Sequence, residues 1–123
     1  MRILLISEQT PIINTIEDFC NKKNYFLVIY RLPLKALDNI AEILPDTLII
    51  NAIDFPRHWK IVFHYLNCEY AHFKIKKFLL IGANFSASDF KKAELLKVDG
   101  FLRFDEKDSV SALEKLNDSF IKA

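Results

Sequence analysis

Five short runs of aliphatic and aromatic residues alternate along this chain with stretches whose apolar residues recur at helical spacing, and few architectures accommodate that alternation. The runs are Ile3 to Ile6, Tyr25 to Tyr30, Thr47 to Ile50, Lys77 to Gly82 and the shorter Phe101 to Phe104. Between them lie Ile12, Ile13, Ile16, Phe19 and Cys20, then Pro33 through Ile43, then Trp59, Ile61, Val62, Tyr65 and Leu66. A further helix is predicted from Ser86 through Leu95 and Leu96, and a last one from about Ser109 with Val110, Leu113, Leu116 and Phe120 facing the core. Strands that are apolar at nearly every position are buried on both faces, and strands of that kind joined by helices run parallel.

Right-handed crossovers with a helix layer on each face leave a doubly wound α/β sandwich, whose five-stranded version at this length has the flavodoxin-like strand order 2-1-3-4-5. Local signals support the element starts. Thr10 followed by Pro11 reads as an N-cap with proline at the first helical position, and Ser86-Ala87-Ser88-Asp89 reads as a capping box. Ligands of such a sheet sit beyond the carboxyl ends of the strands at the switch point between the first and third. The residues available there are Ser7, Glu8 and Gln9, Asn51 to Asp54, Gly82 to Asn84, and Phe104 to Glu106.

At 123 residues the chain is expected to be one domain, 1–123, with a full core. Its 17 basic and 16 acidic side chains nearly cancel, which gives no reason to expect nucleic acid or an anionic membrane as a partner. Cys20 and Cys68 belong to no C-x-x-C or Cys/His pattern and read as reduced core or near-core thiols. The apolar N-terminal run ends too soon for a signal peptide, and no run approaches the ~18 apolar residues of a membrane span. A cytoplasmic protein is expected.

Asn51 ends its strand as a polar residue at the lip of a loop, where it is either a strand end satisfied by loop amides or part of a site. His58, His64 and His72 do not make a metal centre, since the four-residue spacing of His64 and Cys68 supplies one pair and a tetrahedral site needs more. Trp59, Phe63, Tyr65, Tyr70 and Phe73 are read first as core packing, with an aromatic docking surface as the alternative. Lys74, Lys76 and Lys77, like Lys91, Lys92 and Lys97, lack the density and aromatic interleaving of a nucleic-acid surface. With only 2 glycines and no G-x-G-x-x-G or P-loop, a backbone cradle for phosphates or nucleotides is not expected.

Taken together, Arg2-Ile3-Leu4-Leu5-Ile6-Ser7-Glu8, Pro45-Asp46-Thr47-Leu48-Ile49-Ile50-Asn51, Ile81-Gly82-Ala83 and Val98-Asp99-Gly100-Phe101-Leu102-Arg103-Phe104-Asp105 resemble the receiver domain of two-component response regulators, the CheY-like family, over essentially the whole chain. The resemblance implies an acid pair for Mg²⁺ at Ser7 and Glu8, a phosphoacceptor at Asn51, a hydroxyl position at Gly82 and a lysine position at Phe104. Arg103 stands beside Phe104 on the other face of the strand, and Phe101 takes the aromatic switch position.

Each departure removes a requirement of acyl-phosphate chemistry, which needs an anionic nucleophile, a divalent ion and a cation for the product phosphate. Glu8, even with Asp54, is expected to hold Mg²⁺ weakly or not at all. Asp54 as a shifted acceptor is a minor alternative. The leading expectation is a non-enzymatic pseudo-receiver without a cofactor, which binds a protein partner or a second copy of itself. The receiver output face, formed by the fourth helix, fifth strand and fifth helix, would comprise Lys91, Lys92, Glu94, Leu95, Phe101, Arg103, Ser111 and Lys115. The alternatives are the regulatory N-terminal half of a DNA-binding transcriptional regulator and, from another class, a small flavin- or nucleotide-binding protein. The latter lacks a phosphate loop after the first strand.

Overall fold

Arg2–Ile6 forms the first strand, β1, and the four residues Ile3 to Ile6 are wholly excluded from solvent, as a central strand covered on both faces must be. The computed structural model describes residues 1–103. After β1 come α1 (Thr10–Lys23), β2 (Phe26–Tyr30), α2 (Pro33–Asp38), α3 (Ile40–Ile43) and β3 (Thr47–Asn51). The rest are α4 (His58–Glu69), a 3-10 turn at Ala71–Phe73, β4 (Lys76–Ile81), α5 (Ala87–Leu95) and β5 (Gly100–Arg103). The strands form one five-stranded sheet in the order β2-β1-β3-β4-β5, all neighbours parallel, as the alternation of elements predicts.

Each strand divides its side chains between two cores by simple alternation. Leu4, Ile6, Leu48, Ile50, Leu79 and Ile81 meet α2, α3, α4 and α5 on one face. Ile3, Leu5, Ile49, Phe78, Leu80 and Leu102 face the other side, where α1 brings Ile12, Ile13, Ile16, Phe19 and Cys20. The helix expected from about Ser109 lies outside the described residues, as do Phe104, Ser111 and Lys115.

Four local expectations need correction. Gln9, not Thr10, is the N-cap of α1; Thr10 is already helical, Pro11 falls one place later than expected, and the Thr15 hydroxyl donates to the Pro11 carbonyl instead. The single helix expected over 33–43 breaks at Asn39, whose backbone (φ −111°, ψ 7°) leaves helical geometry while its side-chain amide donates to the Lys35 carbonyl. The expected fourth helix is therefore α5. Strand β2, at the sheet edge, is half-buried with Phe26 exposed, and Cys68 is exposed on α4 while Cys20 is buried. The capping box holds, with the Asp89 N–H donating to Ser86 Oγ at 3.0 Å and the Ser86 N–H to Asp89 Oδ2 at 3.3 Å.

Neither glycine has positive φ; the left-handed positions fall on Asn24, Leu44, Lys74 and Lys97. Asn24, Leu44 and Lys74 are helix C-caps. Asparagine tolerates that conformation, whereas each of the other three costs about 1 kcal/mol against glycine. Gly100 is needed for space. A Cβ there would lie 2.7 Å from Cε1 of Phe78, its partner in the β4–β5 register.

Candidate functional site

The carboxyl ends of β1 and β3 lie side by side, with Ile6 opposite Ile50, so Ser7 and Asn51 leave the sheet together. Both are fully buried. Burial of two polar side chains demands partners, and the loop after β3 supplies them by turning Asp54 back over the strand ends. Asn51 Oδ1 accepts the Ile53 N–H at 2.9 Å and the Asp54 N–H at 3.4 Å, an Asx turn that folds the loop on itself. That orientation leaves the Asn51 amide nitrogen to donate, to Asp54 Oδ2 at 2.8 Å and to Ser7 Oγ at 3.2 Å.

The Asp54 carboxylate is the hub. Its Oδ2 accepts from Asn51 Nδ2, from the Glu8 N–H at 2.9 Å and from the Ser7 hydroxyl at 3.3 Å, while Oδ1 accepts from Gln9 Nε2 at 2.7 Å. Glu8 enters through its backbone: its side chain is exposed, and its carbonyl accepts from the Arg31 guanidinium at 2.8 Å. Among the described residues no cluster of three or more His, Cys, Asp or Glu side chains converges as a metal site would. The arrangement is a set of neutral donors closed around one carboxylate.

Gly82 directly follows β4 next door, and a Cβ built there would lie 3.3 Å from both Cγ1 and Cδ1 of Ile53. The side chain of Ile53 thus occupies the approach to that backbone. Beside it a cavity of about 300 Å³ is lined by Ile53, Pro56, Trp59, Gly82, Phe85 and Asp89, among others. At its lip Lys60 pairs with Asp89 at 3.2 Å. Burial raises the Asp89 pKa, but the hydrogen bonds from Ser86 and Lys60 outweigh it and hold the carboxyl below its ordinary range.

Phe101 belongs to an aromatic chain on the α5 side, 5.1 Å from Phe90 and 6.0 Å from Phe85 between ring centroids, with Phe85 in turn 5.8 Å from Trp59. It remains 37% exposed, so the ring seals the edge of this cluster and also shows a face to solvent. Lys91, Lys92, Glu94 and Leu95 are exposed on α5, and Arg103 is exposed on β5. Leu95, at 75% exposure, is the most exposed large apolar side chain among the described residues. Trp59 and Phe63 are core residues, as expected, while Phe73 is exposed. His64 Nε2 lies 3.7 Å from Cys68 Sγ on the outside of α4.

The sequence alone offers Asp54 as a loop acid, a weak metal ligand or a shifted acceptor, and gives Arg31 no role. The signals were present: Asn51 and Asp54 stand three apart as an Asx turn requires, and Arg31 directly follows β2, whose end lies beside that of β1.

No helix among the described residues is long and apolar enough to cross a membrane. The fold is that of response-regulator receiver domains. The signal receiver domain of a DNA binding response regulator protein (merR) from Colwellia psychrerythraea 34H superposes with a TM-score of 0.79 at 16% identity, covering 100% of this chain and 99% of that one. The pseudo-receiver domain of the CikA protein gives a TM-score of 0.64 at 13% identity, with coverages of 94% and 95%. In sequence, 62 residues are 42% identical to an uncharacterized protein of Treponema pallidum (strain Nichols), a match that takes in 50% of this chain and 27% of that protein. The chain therefore spans little more than a quarter of that relative's length. Residues 1–98 match the TP_0454_N family, described as an N-terminal domain, and the chain belongs to that family.

Proposed function

We propose that this receiver-type domain signals without phosphorylation and without enzymatic activity, by docking a protein partner on the face that includes α5 and β5. The observation that carries this reading is the state of Asn51: fully buried, neutral, and with both amide donor and acceptor committed inside the chain. An amide is a poor nucleophile for phosphoryl transfer. The neighbouring carboxylate is held by four donors. A receiver without an acceptor keeps its docking surface, and here that surface carries Lys91, Lys92, Glu94, Leu95, Phe101 and Arg103, all exposed.

A second reading makes this domain the regulatory N-terminal part of a DNA-binding regulator. It is favoured by the family's description as an N-terminal domain and by the DNA-binding response regulator to which the Colwellia receiver belongs. The two readings differ in the partner, intramolecular or separate, and share the absence of a phosphorylation switch.

The test is treatment of the full-length natural protein with acetyl phosphate and Mg²⁺, followed by intact mass and by crosslinking to bound protein. Expected are no mass gain and an unchanged crosslinked set. The Lys91→Glu, Lys92→Glu double variant should lose that set while melting as the parent does. A stoichiometric phosphoryl adduct, or full binding by the double variant, overturns the proposal.

A further inference from the structure

We infer that Ser7, Glu8, Gln9 and Asn51 form a receptor for a small carboxylate, which the chain fills with the side chain of its own Asp54. The geometry is that of a bound anion. Four donors, the Ser7 hydroxyl, the Glu8 backbone N–H and the side-chain amides of Gln9 and Asn51, reach the two oxygens of one carboxylate at 2.7–3.3 Å. Hydrogen bonds to an ionised acceptor are the strong ones, and two of the donors, Ser7 and Asn51, are fully buried. They have no bulk water to turn to if the anion leaves.

The donors are all uncharged, and that sets the ligand class. A planar monoanion with two oxygens matches them in number and charge, whereas a phosphate dianion brings more charge than neutral donors offset. The Arg31 guanidinium is nearby but donates to the Glu8 carbonyl, so it stiffens the loop without neutralising the ligand. The Asn51 amide cannot reverse its role, because its oxygen is committed to the Ile53 and Asp54 N–H groups.

In the native chain Asp54 wins by tethering. A ligand held on a short loop has an effective concentration in the millimolar range or above, so free carboxylates do not displace it at ordinary levels. The tethered anion also sets the loop: with Asp54 seated, Ile53 is carried against Gly82. Removing the side-chain carboxylate should leave an unfilled anion site of formate size.

The experiment compares the parent with Asp54→Ala, each in sodium formate, sodium acetate, sodium phosphate or sodium chloride at matched ionic strength. Thermal melting and hydrogen exchange at the backbone amides of Ile53 and of position 54 are followed. For Asp54→Ala a formate dissociation constant on the order of 10 mM would make 100 mM formate raise the folded-to-unfolded ratio about tenfold, roughly 3–6 °C in melting temperature. The parent should not respond. Should Asp54→Ala fail to fold, Asp54→Asn keeps the volume and places an amide among the donors; the Ile53 amide should then exchange at least about tenfold faster than in the parent. No formate response in a folded Asp54→Ala overturns the inference, as does an equal response to phosphate or an equal response of the parent. Unchanged Ile53 exchange in Asp54→Asn overturns it as well.

Discussion

Replacing Asn51 by aspartate puts a second carboxylate against that of Asp54, and the surroundings of this residue make the substitution destructive. The amide nitrogen that donates to Asp54 Oδ2 at 2.8 Å becomes an oxygen, so two acceptors face each other at hydrogen-bond distance. Two unit charges about 3 Å apart repel by about 5 kcal/mol at an effective dielectric of about 20. The pair escapes by sharing a proton. Taking one up at pH 7 costs about 4 kcal/mol for a carboxyl whose unfolded pKa is about 3.9, and this caps the penalty. The shared proton restores one hydrogen bond, and the donation to Ser7 is lost, so a net deficit of about 2–4 kcal/mol is expected at pH 7. That corresponds to a melting temperature lowered by about 10–15 °C.

The pH dependence has a definite sign. The folded variant holds a proton that its unfolded chain releases above about pH 4, so its stability relative to the parent is greatest below that pH. It declines as pH rises towards neutrality. Urea denaturation of parent and Asn51→Asp at pH 4.5 and pH 7.5 measures this directly. A deficit under about 1 kcal/mol at pH 7.5, or one that is the same at both pH values, refutes the electrostatic account.

Two further outcomes follow from the packing. Gly100→Ala places a methyl 2.7 Å from Cε1 of Phe78, itself 97% buried by its 3% exposure, and is expected to cost about 1–3 kcal/mol in urea denaturation; a neutral result means that the ring moves freely. Burial, helped by Glu17, pushes the Cys20 thiol up to about 11, so a thiol reagent at pH 8 should label Cys68 alone in the native protein and both cysteines only in denaturant. Two equivalents of rapid native labelling would contradict that.

The framework of the fold is legible because it depends on pattern. Ile3 to Ile6, Thr47 to Ile50 and Phe78 to Ile81 are apolar at nearly every position, and only parallel strands covered on both sides use such runs. Ser86 and Asp89 announce their helix by a local bond that no tertiary contact overrides. The misreadings arise where a local signal has two solutions. Thr10-Pro11 allows the cap at either Gln9 or Thr10, since proline is accepted at the first or second helical position. Asn39 is compatible with a helix interior until its side chain finds the Lys35 carbonyl. Asp54 was hardest, because its role is contributed by Glu8, Gln9 and Ser7, which are remote in sequence and reach it only once the sheet has formed. Those partners lie 45 to 47 positions away, beyond any periodicity argument.

The contact of Ile53 with the backbone at Gly82 bears on which substitutions this chain accepts. A serine or threonine at 82 would need Ile53 to yield by a few tenths of an ångström, and Ile53 is held by the turn that Asn51 and Asp54 make. An acidic residue at 51 can still accept from the Ile53 and Asp54 N–H groups and keep that turn, but it then faces the Asp54 carboxylate, while a side chain at 82 is crowded for as long as the turn persists. The bare backbone at 82 and the isoleucine at 53 are therefore a matched pair, and a larger side chain at one position calls for a smaller one at the other.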